Sequence, residues 1–472
     1  MNDTLSNELK KALIDRDKQP YEIPPNWIWT RLDNVCYEDR QTVKPDSEEA
    51  KRLLYLGMED VEANTGIINK ISEDVGKSNT YKFDSTHILY GKLRPYLNKV
   101  ALPDFEGRCT TEFIPLKPEG GISREYLALF LRTQKVIDTV MAKSKGSRMP
   151  RADMKVLMSI EFPLPPVSEQ RRIIKKVKSY FKIIDKIEKE LAKAKELLKK
   201  RHESLLQKAF RGELVKREEN DKSTFDLLNI KVSSSTDEND PYDIPENWVW
   251  LELGDCGVIT GGGTPSKKVP SFWNGNILWV SPKDMKRDKI NDTEDKITEL
   301  AIEKSSAKLI PKNSVLFVVR SGILRHSLPV AINDVELTVN QDIKAITPHE
   351  FINVSYLFYA FKCFEKSWLQ EASKIGATVE SLDMEKVKKL KVPVPPLSEQ
   401  LKIIERLEKE FEKEQAIVQS IERAEEKLQK MRQSLLQKAF RGELVEQRPE
   451  EGTGLDLLKE IIEEKLKLNK EK

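Results

Sequence analysis

Anion-binding side chains are the most concentrated chemical groups in this sequence. Lys92, Arg94 and Lys99 follow one short apolar run, and Arg320 and Arg325 follow another. Arginine donates two hydrogen bonds to a guanine edge, whereas lysine more often supplies attraction to phosphate regardless of base. A second basic loop runs from Lys143 to Arg151 and holds Lys145, Ser147, Arg148 and Arg151; its counterpart 230 residues later holds Lys374 and Thr378. At one position of this pairing Arg151 is replaced by Ser381. Gly146 and Gly376 lie inside these loops, where glycine allows close backbone approach. Thr264, Ser266 and Lys267, with Lys283 further along, complete the donor set. All are candidate DNA contacts; the alternative for any exposed basic loop is a plain solvated surface.

Other chemistries have little to draw on. The run Gly261-Gly262-Gly263-Thr264-Pro265-Ser266 lacks the Gly-Lys-Ser/Thr ending of a phosphate loop and the GxGxxG of a dinucleotide loop. It reads instead as a flexible loop on the nucleic-acid face. The histidines number only four, at 87, 202, 326 and 349, and the four cysteines stand apart with no CxxC pair. Neither a metal site nor a disulfide framework is expected. Lys plus Arg total 80 against 77 for Asp plus Glu, so any basic face is local. Without an apolar N-terminal segment or a membrane-length apolar stretch, a soluble cytoplasmic chain is expected.

These candidates must be positioned by a duplicated frame. Ser204 to Val215, SLLQKAFRGELV, recurs letter for letter at Ser434 to Val445, an offset of 230. The same offset maps PPVSEQ at Pro165 onto PPLSEQ at Pro395, while PYEIPPNWIW at Pro20 recurs as PYDIPENWVW at Pro241, an offset of 221. Between these markers the halves diverge, as expected where a symmetric frame carries two parts that meet different targets. A structural tandem duplication is the alternative.

After each SEQ triplet, where Ser168 or Ser398 can cap the first turn, the pattern is one long amphipathic helix. Ile184, Leu191, Leu198 and Leu205 recur every seven residues, interleaved with Tyr180, Ile187 and Ala194. In the second copy Ile421, Leu428 and Leu435 interleave with Ile417, Ala424 and Met431, and Arg201 and Glu414 interrupt the seam. A straight helix from Ser168 to Phe210 is roughly 65 Å long. Antiparallel pairing of the two helices within the chain is the simplest closure; a bare oligomerisation seam is the alternative. Gly212 and Gly442 stand where the periodicity stops and read as C-terminal caps.

The divergent parts read as strand-rich. Leu53 to Leu56 matches Ile277 to Val280 as buried strands, and His87 to Tyr90 matches Val315 to Val319. A helix follows from Glu125 to Met141, with its counterpart from Tyr356 to Ala372. Arg94 and Arg320 thereby take matched positions after equivalent strands. The fold class is α+β, a pseudo-two-fold tandem repeat divided as an N-terminal segment (1–20), a first globular domain (21–163), a first helix (164–215), a linker (216–241), a second domain (242–393), a second helix (394–445) and a tail (446–472). Head and tail restore the symmetry if they meet.

Taken together, the NW-x-W domain starts, the PLPP-x-SEQ and PVPP-x-SEQ boundaries, the repeated LLQKAFRGEL and the GGTP with NQD of the second half resemble the specificity subunits of type I restriction-modification systems, along nearly the whole chain. The resemblance implies two target recognition domains, each reading one half of a split asymmetric site in double-stranded DNA, with the helices fixing the gap. It implies two methyltransferase subunits as partners, joined by endonuclease subunits. S-adenosylmethionine, ATP and magnesium would be used by those partners, with no cofactor on this chain and no catalytic residue in it. The first half departs from the pattern, lacking GGTP and carrying Thr110-Thr111-Glu112 in place of Asn340-Gln341-Asp342. A fused methyltransferase or nuclease, and a spacer between two protein-binding modules, are the competing readings.

Overall fold

Proline decides where each long helix begins, because it donates no hydrogen bond and so costs nothing in a first turn. The computed structural model describes residues 2–72, 77–144, 148–216, 240–374 and 379–471. The helices run Val167–Phe210 and Leu397–Phe440, 44 residues each. Their first bonds go from the Gln170 and Gln400 amides to the Pro166 and Pro396 carbonyls, each 3.0 Å. Ser168 and Ser398 therefore stand inside the first turn, and the prolines take the cap position expected for the serines. Both helices end as the sequence suggests. Gly212 and Gly442 adopt φ of +73°, the Glu213 and Glu443 amides reach back to Lys208 and Lys438, and a Cβ on either glycine would meet Pro245 or Pro24.

The chain divides into two compact units, residues 1–191 with 422–472 and residues 192–421. Each long helix gives one part to each unit. In the first unit a two-stranded ladder, Ile28–Arg31 against Glu161–Leu164, ties the domain's start to its end. Its other strands form two four-stranded sheets, one carrying Ile88–Gly91 and the other pairing Leu54–Leu56 in parallel with Gly107–Thr110. The second unit repeats this plan. Val249–Glu252 pairs with Lys391–Val394, a five-stranded sheet carries Val315–Val318, and Trp273–Val280 runs parallel to Leu337–Val339. Leu54 is exposed, so the first of the strands expected to be buried is only half covered.

The expected helix at Glu125 to Met141 is two helices, Arg124–Leu131 and Gln134–Ala142, whereas Val354–Ala372 is unbroken. The break falls where Thr133 bonds back to the Phe130 carbonyl and the Arg132 carbonyl accepts from Asn98, 3.2 Å away. The carbonyls at the break thus have partners outside a continuous helix.

The frame contacts are copied between units. Tyr21 donates to the Phe440 carbonyl and Tyr242 to the Phe210 carbonyl, while Trp29 and Trp250 donate to the carbonyls of those tyrosines. The buried Glu and Gln of each SEQ triplet dock the helix starts. Glu169 and Glu399 accept from Asn26 and Asn247, and Gln170 and Gln400 accept from the amides of Ser123 and Asn353. Head and tail do meet: Leu5, Leu9 and Ala12 of the helix Asn2–Ala12 share a core with Leu457, Leu458 and Ile461 of Gly454–Glu471.

Within each unit the long-helix segments run antiparallel. In the first, Glu169 meets Gln447 while Glu188 meets Arg432; in the second, Arg201 binds Glu410 and Glu414, and Leu206 shares a core with Ile403, Ile404 and Leu407. Ile184, Ile421 and Leu428 are buried, and Leu191, Leu198, Leu205 and Leu435 are half-buried. The interleaved stripe differs from expectation. Tyr180, Ile187, Ile417 and Met431 are exposed, Ala194 and Ala424 are half-buried as expected, and the other covered positions are one residue later, at Phe181, Glu188, Lys195 and His202 and at Phe411, Val418, Glu425 and Arg432. Polar residues occupy most of that stripe, so choosing the apolar neighbour selects the wrong face.

Candidate nucleic-acid interface

Backbone pairing fixes which residues of the two units correspond. In the first unit the Lys92 amide donates to Glu112, the Ala152 amide to Lys92 and the Arg94 amide to Pro150. In the second, the Val319 amide donates to Asp342, the Leu382 amide to Val319 and the Ser321 amide to Glu380. Isolated bridges Leu93↔Arg151 and Arg320↔Ser381 complete the match. The structural counterpart of Arg320 is therefore Leu93, and that of Arg94 is Ser321. The pairing of Arg94 with Arg320 expected from strand endings is wrong by one residue, because strand register is set by partners across the sheet, and one step turns a side chain to the opposite face.

In the first unit this region gathers Lys92, Arg94 and Arg151. Arg94 has φ of +50° and caps a short turn, Pro95–Leu97, and its Nε is buried. Arg151 is half exposed and grips Glu112, with Nη2 2.9 Å and Nε 3.2 Å from Oε1. Hydrogen bonding and charge from Glu112 raise the Arg151 pKa further. Lys99 turns inward and donates to the Met58 carbonyl at 2.6 Å. Arg148 is exposed. Lys145, Ser147 and Thr378 lie outside the described residues.

In the second unit Arg320 Nε lies 2.6 Å from Asp342 Oδ1, and Asn340 donates to Oδ2 of the same carboxylate at 3.2 Å. Gln341 accepts from Thr264, which connects the triple-glycine loop to the Asn340-Gln341-Asp342 turn. That loop is not free. The Gly263 amide donates to Val339, the Trp279 and Trp273 indoles donate to the Gly263 and Ser266 carbonyls, and a Cβ at Gly262 would sit 1.8 Å from the Val339 carbonyl oxygen. The glycines serve close packing, contrary to the flexible loop expected. Thr264, Ser266 and Lys267 remain exposed, with Lys267 over the Trp273 ring.

The remaining candidates are tied locally. Arg325 pairs with Glu380 and holds that carboxyl below its usual range; the Lys283 pKa is raised by the hydrogen bonds it donates to Glu294 and Asp295. Lys374 is exposed, and its amide donates to the Ser381 carbonyl. Sequence reasoning omitted Glu112, Gln341 and Asp342 from the site. The signal was present, since the 230 offset places Glu112 on Asp342.

Among the described residues no group of His, Cys, Asp and Glu could hold a metal, and no helix is long and apolar enough to cross a membrane. All four cysteines are free; burial pushes the Cys256 and Cys363 thiols up to about 12, which leaves them poor nucleophiles at neutral pH.

A family model described as "Type I restriction modification DNA specificity domain" matches residues 31–196 and 245–423, which takes in both divergent parts and much of both long helices. The chain belongs to this family. Similar proteins include the EcoR124I/EcoR124II specificity subunit of Escherichia coli, 48% identical over 161 residues, covering 34% of this chain and 40% of that protein. The MjaIX specificity subunit of Methanocaldococcus jannaschii is 32% identical over 180 residues, 38% of this chain and 41% of that protein. These matches span less than half of either relative. By fold, the chain resembles one from a structure of type I R-M complex assembly and conformational transition, with TM-score 0.70 and 21% identity over 90% of this chain and 100% of that one. The HsdS subunit from Thermoanaerobacter tengcongensis gives TM-score 0.50 at 21% identity, over 90% of this chain and 99% of that one.

Proposed function

We propose that the chain is the DNA-recognition subunit of a type I restriction-modification complex, working in the cytoplasm. Each divergent domain reads one half of a bipartite asymmetric site, and the paired helices set the gap. Methyltransferase subunits dock on the repeated frame, and endonuclease subunits join them. Adenine methylation, S-adenosylmethionine, ATP and magnesium belong to those partners. One observation carries this reading: an identical docking frame, Tyr21 to Phe440 and Tyr242 to Phe210, presents two differently built polar faces, and the specificity-domain family covers both. A spacer has no reason to vary its faces while copying its sockets.

Binding to DNA should strengthen when methyltransferase subunits are added and weaken steeply with salt through phosphate contacts. The decisive experiment co-expresses the full chain with the methyltransferase subunits of its own system in a methylation-free host and maps modified adenines. One split motif with a fixed gap is the expected result. No modification, despite a stable complex and active methyltransferase subunits, overturns the reading.

A further inference from the structure

Both units carry an exposed arginine against a carboxylate at the same place in the fold, and they build that pair from different chain segments. The carboxylates are equivalent, since the Glu112 and Asp342 carbonyls accept from the equivalent amides of Lys92 and Val319. The guanidinium comes from opposite sides of one β-bridge: Arg151 faces Leu93 in the first unit, and Arg320 faces Ser381 in the second. We propose that Arg151 and Arg320 are the guanine-reading side chains of their domains, each held in reading position by Glu112 or Asp342. This rests on the DNA-recognition reading above.

Three physical arguments support it. Ion pairs this exposed add little to stability, so stability gives small reason to rebuild one from another strand. The arginine side chains are 51% and 53% exposed against 23% and 20% for their carboxylates, so the acid stands behind and the guanidinium in front. Glu112 takes Nε and Nη2 of Arg151, and Asp342 takes Nε of Arg320. The remaining N–H groups form a fork of the shape that matches O6 and N7 of guanine. Finally, the pair is neutral overall. A neutral pair attracts phosphate weakly, yet its directed donors still discriminate between base edges. Arg325 and Glu380 form a similar pair, but Pro150 stands at the position of Glu380 in the first unit, so that pair has no equivalent there.

The test maps methylation motifs for the full chain with its methyltransferase subunits, and measures binding to duplexes changed one base pair at a time. Arg151→Ala should lose preference for one G·C pair, in one half-site only, by about 5- to 150-fold. Arg320→Ala should do the same in the other half-site. Arg151→Lys keeps the charge and loses the fork, so it should lose the same preference while folding normally. Glu112→Gln and Asp342→Asn should weaken discrimination at the base pair of their own arginine and nowhere else. Adding Leu93→Arg to Arg151→Ser rebuilds the second unit's arrangement in the first and should restore the preference. Equal weakening on all sequences, or full preference retained in Arg151→Lys, overturns the proposal while leaving the recognition role intact. Absence of any split motif from the unaltered chain overturns that role, and the inference with it.

Discussion

Tyr21 and Tyr242 make the same bond to the same kind of helix end, whereas Arg151 and Arg320 reach equivalent carboxylates from opposite sides of a bridge. The bonding residues of the sockets are copied one for one, Tyr21 with Tyr242 and Tyr126 with Tyr356, and the faces are held only by position. A socket must accept one helix end, LLQKAF, in both units, so these side chains have little freedom, although Phe130 and Phe364 complete the ring packing from different positions. A face has only to bring a donor to a place, and two chain segments pass that place. Divergence of sequence between the halves is thus greatest where geometry offers more than one route.

The largest test of this contrast removes the rings at the sockets. Phe440 packs on Tyr126 and Phe130 with centroids 5.0 and 5.2 Å away, and Phe210 packs on Tyr356 and Phe364 at 4.9 and 5.4 Å. Phe440→Ala and Phe210→Ala should each cost about 3–5 kcal/mol in their own unit, by urea unfolding of the full chain. Near-equal losses support copied sockets. A large loss for one and a negligible loss for the other would mean that the repeated sequence no longer does repeated work.

A smaller effect distinguishes the helix segments. Leu428 is buried in the first unit, and Leu198, at the offset position in the second, is half-buried. Leu428→Ala should cost about 2–5 kcal/mol, and Leu198→Ala less, since it removes less covered surface. Both should broaden the gap tolerated in the methylated motif. Unchanged gap selectivity in Leu428→Ala would separate the coil from any measuring role.

Much of this architecture was legible in the sequence because it is written locally. The cap glycines, the proline boundaries and the Ile184 and Ile421 seam each follow from residue type and short spacing. The interleaved stripe was not, because Glu188, His202 and Arg432 are covered by partners from a distant segment, which no local hydropathy signals. For the same reason Arg94 was matched with Arg320: strand endings suggest that alignment, and only the amide bonds to Glu112 and Asp342 correct it. The helix break at Arg132 likewise depends on Asn98, which lies far along the chain.

The smallest expected effect concerns the polar interruption of the seam. Arg201, Glu410 and Glu414 form a bonded cluster in the second unit, where the first unit has Met431, Tyr180 and Ile184 at the offset positions. Hydrogen bonds from Lys413 and Arg201 outweigh burial and hold the Glu410 carboxyl down at about 2, against an ordinary 4.5. A carboxyl depressed in the fold stabilises it fully above 4.5, and that contribution fades as pH falls toward 2. Glu410→Gln should therefore lower thermal stability most at neutral pH, and the gap from the unaltered chain should close on acidification from pH 5 to pH 2. A gap independent of pH would make Glu410 a packing residue, and the second unit's polar cluster would then differ from its apolar counterpart in shape rather than charge.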